Sequence, residues 1–230
     1  MDHMLDLLAD ADRLLVRTVD SLSDDELASP SLLPGWTRAH VVAHLALNGE
    51  GLARALTGVV TDEPAPMYDS QEARDADIEQ LSQASPTELR ERLMGAVTLY
   101  TESATALPES RQATRIERTP GGPTFPAGDT VVMRLREVEV HHADLGAGYS
   151  PADWSHGFCA VLLESMRQRR WPTSFQVHAT DMQGTWEYGE GPGGPLVTGA
   201  AGDLGWWLTG RGDGSRLKVE GGELPEAPAW

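Results

Sequence analysis

The sequence predicts an α+β protein in which a helical bundle, residues 1–170, is followed by a small α/β domain, residues 171–230. Three observations lead there. Apolar residues recur at a helical period through most of the first two-thirds. The helix-start pattern of serine, proline and then an acid occurs twice, at Ser85-Pro86-Thr87-Glu88 and Ser150-Pro151-Ala152-Asp153. Beyond Trp171 the helical period gives way to short strand-like runs broken by glycine.

The elements follow in order. Met4, Leu7, Leu8, Ala11, Leu14, Leu15, Thr18 and Leu22 make the apolar stripe of a first helix over about residues 3–22. Ser31-Leu32-Leu33-Pro34-Gly35-Trp36 is a turn, and Thr37 caps a second helix whose buried side is Val41, Val42, Leu45, Leu52 and Leu56, ending near Gly58. Residues 60–80, polar with two prolines, are expected to be a long surface loop. Leu89, Leu93, Val97, Tyr100, Ala104 and Leu107 carry a third helix to Pro108. After a Gly/Pro-rich loop, Asp129 or Thr130 starts a fourth that passes His142 and stops near Gly146. A fifth helix is expected from Ser150 to about Arg170. Ser174–Thr180 and Thr185–Tyr188 read as strands around Gly184, Asp203–Thr209 as a short helix and Leu217–Glu220 as a strand.

Composition narrows the function. No apolar run approaches the roughly 18 residues of a membrane span, and the acidic N-terminus is unlike a secretory signal. A lone cysteine, Cys159, excludes an internal disulfide framework, so a cytoplasmic protein without a membrane partner is expected. The net charge of −17 argues against nucleic acid, because phosphate binding needs clustered Lys and Arg. A small anionic substrate stays compatible, since a few arginines pair locally with a carboxylate whatever the net charge. Lys218 is the single lysine among 18 basic residues, a bias typical of a GC-rich genome.

Four of the seven histidines form two helical clusters, His40 with His44 and His141 with His142. Glu137 and His141, four apart, share one helix face and can reach a metal beside it. Catalytic zinc takes three protein ligands and leaves a fourth position open. His44 can complete the set, because facing helices of a bundle bring such side chains together in the core. Spacing alone leaves two other readings open: a solvated Glu137/His141 pair, and a separate His40/His44 pair.

The run Leu33-Pro34-Gly35-Trp36-Thr37-Arg38-Ala39-His40-Val41-Val42-Ala43-His44-Leu45-Ala46 resembles the N-terminal signature of the mycothiol-dependent maleylpyruvate isomerases, within the wider DinB-like thiol transferase group. Arg134-Leu135-Arg136-Glu137-Val138-Glu139-Val140-His141-His142-Ala143-Asp144-Leu145 and Trp207-Leu208-Thr209-Gly210-Arg211-Gly212-Asp213-Gly214 are similar to two further blocks, in the family's order. The resemblance implies a DinB-like four-helix bundle with a divalent metal, zinc, at its core, and a C-terminal α/β domain like the sterol carrier proteins. It places the metal ligands on His44, Glu137 and His141, and the active-site arginine on Arg211. It implies mycothiol as cofactor and isomerisation of maleylpyruvate to fumarylpyruvate by reversible thiolate addition. A mycothiol S-transferase acting on another electrophile and a non-catalytic metal- or ligand-binding protein are the alternatives. The GC-rich bias fits an actinobacterial source, and a monomer or weak homodimer is expected.

Other residues get plainer expectations. Asn48, one turn beyond His44, is a candidate contact for the bound thiol. His40 is expected to serve the helix N-terminus and His142 to pack or face solvent. Asp144 is either an orienting partner of a ligand imidazole or a helix-end residue. A forked cation at 211 suits a dicarboxylate and its developing enolate. Asp213 is expected to serve the turn, and Trp206 and Trp207 the core. Cys159, among Phe158, Ala160, Val161 and Leu162, lies on a packing face and is not expected to be a nucleophile.

Overall fold

The structure, a computed structural model, describes residues 2–191 and 193–228. The chain divides into two compact units, one ending at Gly148 and the other starting at Tyr149. Four long helices form the first: α1 (Asp2–Ser21), α3 (Arg38–Thr61), α5 (Pro86–Ala106) and α6 (Thr130–Asp144). α3 packs on α5 and α6, and α1 packs on the same two, which closes the ring of a four-helix bundle. α1 keeps the expected stripe, with Leu8, Ala11, Leu15 and Val19 buried. α3 is apolar nearly all round, as a central helix must be, with Val41, Val42, Leu45, Ala46, Leu52 and Leu56 at 0% exposure. Polar side chains on this helix are therefore carried into the core.

Two short helices join them. α2 (Asp24–Ala28) is held by a capping box of Ser23 and Glu26. α4 (Gln71–Ser82), capped by Ser70, packs on α3 and corrects the expectation of a continuous loop over 60–80. It was hidden because it buries only Ile78, Leu81 and Ser82. The remaining loop, 62–70, is pinned by a hairpin that sequence patterning also missed, β1 (Arg115–Glu117) paired antiparallel with β2 (Thr124–Pro126). Met67 N–H donates to Glu117 O and Tyr68 N–H to Arg118 O, both at 3.0 Å.

In the second unit, α7 (His156–Met166) starts at the Ser155 cap after a 3₁₀ turn at Pro151–Asp153, so it is shorter than the expected 150–170 helix. It belongs with the sheet rather than with the bundle: Leu162, Leu163 and Met166 are buried, and Tyr188 Oη donates to Leu163 O. The divide at 148 thus falls earlier than the expected 170. β3 (Phe175–Ala179), β4 (Thr185–Tyr188), β5 (Leu196–Gly199) and β6 (Lys218–Glu220) form one sheet in the order β4-β3-β5-β6. β3 and β5 are parallel and the outer pairs antiparallel. α8 (Ala201–Leu208) lies between β5 and β6 in the chain, and Trp171, Phe175, Tyr188 and Trp207 pack edge and face in the core.

Candidate metal centre and its surroundings

α3 brings His44 and α6 brings Glu137 and His141 to one point of the bundle core. His44 Nε2 lies 2.9 Å from Glu137 Oε2, and His141 Nε2 lies 3.4 Å from the same oxygen. The two imidazoles meet edge to face with centroids 4.7 Å apart. One donor atom from each residue falls within 4.8 Å of the others. The histidines are buried, while the Glu137 side chain keeps 24% of its exposure, so the centre opens on the carboxylate side.

The donor set fits a divalent cation. Zinc bonds of about 2.0–2.1 Å in a tetrahedron place ligand atoms roughly 3.3 Å apart, close to the spacings here. His141 Nδ1 lies 2.8 Å from Asp144 Oδ2, itself buried, which leaves His141 Nε2 facing the centre. Asp144 thus takes the orienting position. On the other histidine, Arg74 Nη2 lies 3.1 Å from Nδ1. A guanidinium only donates, so the proton of the neutral His44 ring sits on Nε2 and is given to Glu137; coordination through Nε2 requires that proton to leave.

Electrostatics are strongly coupled. Burial pushes His44 down to about 4, against its bond to Glu137. Burial also penalises the Glu137 carboxylate, yet the His141 and His44 imidazoles hold it well below the usual range. For His141, burial is overcome by Asp144 and Glu137, and the ring is held above its ordinary value.

Around this point the other candidates separate. His40 is the third residue of α3 and closes a capping box with Thr37, while its Nε2 meets Glu79 of α4 at 3.1 Å. His142 is buried on the far side, 2.8 Å from Thr18 of α1. Trp36 stacks near both His40 and His44. Asn48 is buried, and its Oδ1 accepts from Arg134 Nη1 at 2.9 Å. Arg74, which meets His44, went unnoticed in the sequence because it falls in the stretch expected to be loop; the polar, helix-capping Ser70 was the available signal.

In the second unit Arg211 lines a cavity of about 310 Å³ with Trp206, Asp203 and Arg216. Its guanidinium lies 5.6 Å from the Trp206 ring, and Nη1 donates to Thr209 O. Trp206 is accordingly half-buried beside this cavity, while Trp207 is core. Asp213 Oδ1 accepts from Ser215 N, a turn-forming bond. Cys159 is buried in α7 and in no disulfide.

Residues 8–146, more than half of the chain, match the family described as mycothiol maleylpyruvate isomerase N-terminal domain. Two solved structures are similar over 100% of this chain and 96% of their own, each with a TM-score of 0.88 and 27% identity. Both are crystal structures of the mycothiol-dependent maleylpyruvate isomerase, one of them a histidine-to-alanine mutant. No curated protein matches the chain.

Proposed function

We propose, since this chain belongs to the mycothiol maleylpyruvate isomerase family through residues 8–146, that it converts maleylpyruvate to fumarylpyruvate using mycothiol and one divalent metal, zinc. The observation that carries this reading is the donor set of His44, Glu137 and His141 converging in the very region that matches the family.

Those three residues would hold the metal. When bound there, the metal supplies Lewis acidity that keeps the thiol as thiolate, and the thiol supplies a nucleophile whose reversible addition lets the cis double bond rotate. Asp144 holds the His141 ring by its outer nitrogen and keeps its inner one turned to the centre. Asn48 accepts from Arg134 through its carbonyl and has two amide protons to offer the thiol. Arg211 offers a planar fork of donors for a substrate carboxylate or its enolate.

The test is metal analysis together with turnover. The purified protein should carry about one zinc-like ion per chain, as the one three-ligand set among the described residues implies, and isomerise maleylpyruvate only with mycothiol added. His44→Ala and His141→Ala should lose most metal and activity while far-UV dichroism stays helical. Full metal retention by both variants would remove the ligand assignment, and conversion independent of thiol would remove the reaction.

A further inference from the structure

We propose that Arg134 is a positioning residue of the metal centre: from α6 it grips α3 beside His44 and so fixes the separation at which His44 meets Glu137 and His141. The proposal rests on the reading above that these three residues hold a metal.

The ligands come from two helices, His44 from α3 and the other two from α6. The spacing and register of that one pair of helices therefore decide whether all three reach one ion. Helices packed through apolar side chains lie anywhere from about 8 to 10 Å apart, while metal bonds tolerate only about 0.2 Å. Something more directional than apolar packing is needed next to the site.

Arg134 supplies it. Its Nη1 donates to Leu45 O at 2.7 Å and to Asn48 Oδ1 at 2.9 Å, two bonds from a single nitrogen. Leu45 is the neighbour of His44, Asn48 lies one turn beyond it, and Arg134 itself lies about one turn before Glu137. Contacts thus run in opposite directions along the two helices, His44 with Glu137 and then Asn48 with Arg134, as adjacent rungs of one ladder. The side chain is 0% exposed and has no room to wander. A Cβ at Gly49 would stand 3.3 Å from Arg134 Cζ and 3.3 Å from Ala96 Cβ, so α3 is bare where the guanidinium crosses it.

Stability is a poor reason for this arginine. Leu45 O lies within α3, where the helix already supplies it with a backbone donor. Arg134 Nε and Nη2 have no hydrogen-bond partner among the described residues, and a buried cation with unmet donors is costlier than an apolar chain of the same length. What the guanidinium adds is register, the best-attested use of a buried charge. Its charge by itself repels a nearby cation. Charge alone therefore predicts tighter zinc binding when Arg134 is removed, and positioning predicts weaker binding.

The test is Arg134→Met, which keeps an unbranched chain and removes both bonds, with zinc affinity measured by chelator competition in the absence of thiol. Affinity should fall about 10–100-fold, the usual cost of losing a residue that orients metal ligands. Arg134→Lys should regain part of it, since one nitrogen makes both bonds. Gly58→Ala, which crowds the far end of α3, is the destabilised control and should bind zinc like the wild type. Should Arg134→Met not fold, Asn48→Ala removes one of the two acceptors and should weaken zinc severalfold. Wild-type or tighter affinity in the variant measured, or an equal loss in Gly58→Ala, overturns the proposal and leaves the metal reading intact. A wild type that binds zinc no better than His44→Ala sinks the metal reading and the proposal with it. The expected loss of zinc affinity, in a protein whose wild type leaves maleylpyruvate unchanged, sinks the isomerase reading alone.

Discussion

Asp12 and Arg134 face the interior of the bundle as opposite charges with unmet bonding capacity: Asp12 Oδ1 and Arg134 Nε and Nη2 have no hydrogen-bond partner among the described residues. Burial lifts the Asp12 carboxyl from 3.8 to about 6, and the Arg134 charge offsets only part of that. The sign follows from linkage. The folded state holds this proton more tightly than the unfolded one, so the ionised form carries a penalty that is absent below about pH 4. The penalty grows between pH 4 and 6 and is complete above, at about 3 kcal/mol for a shift of roughly two units. Urea melts of the wild type and of Asp12→Asn, which cannot titrate, should show the stability of the wild type relative to the variant falling by about that amount from pH 4 to pH 7. A difference that stays constant across this window would show that Asp12 does not titrate there.

Arg211 poses a different question at the same scale, whether its fork meets substrate or merely finishes α8. Arg211→Ala should keep its metal and its thiol affinity while losing about 2–4 kcal/mol of transition-state stabilisation. Lys at this position should restore only part, because a point charge cannot reproduce a bidentate fork. Normal kinetics in the folded protein, with only a lowered melting temperature, would assign Arg211 to the loop.

Helix α3 shows how an element can resist its own propensity. Alanine is normally better than glycine inside a helix by roughly 1 kcal/mol. At Gly58, however, a Cβ would lie 2.6 Å from Glu63 O and 2.9 Å from Ala65 N, where the chain folds back at the C-cap residue Asp62 with its positive φ of 60°. Gly58→Ala should therefore destabilise by about 1–3 kcal/mol through forced backbone movement. Gly95, exposed in α5 with nothing within 4 Å of its Cβ position, is the control. Gly95→Ala should stabilise by about 0.5–1 kcal/mol. Thermal melts of the pair check both, and equal effects would mean that the α3 turn yields without cost.

For the whole molecule, catalysis by an added thiol and catalysis by the chain's own thiol make opposite predictions. Cys159 is buried in α7 beside Phe158 and Leu162. Cys159→Ser should turn over at close to the wild-type rate with mycothiol present. A well-folded but inactive Cys159→Ser protein would bring a covalent enzyme intermediate back into consideration.

What the sequence by itself determined is what local physics writes into neighbouring residues: the periodic stripe of α1, the cap of α3 at Thr37, the Ser85-Pro86 start of α5, and a Glu137/His141 pair on one face of α6. These depend on contacts within a few residues along the chain, so the order of residues is enough to read them. The family blocks added which residues to watch. The tertiary structure alone decided that His44, 93 residues from Glu137, stands 2.9 Å from it, and that His40 caps a helix instead of joining the centre. It also showed α4 in a stretch without an apolar period, and moved α7 to the sheet. It set Arg74 against His44 and Arg134 against Asn48 in the same way. Such groupings arise from burial shared between distant segments, where a polar side chain takes its role from whatever packs opposite it, and that partner is not written beside it in the chain.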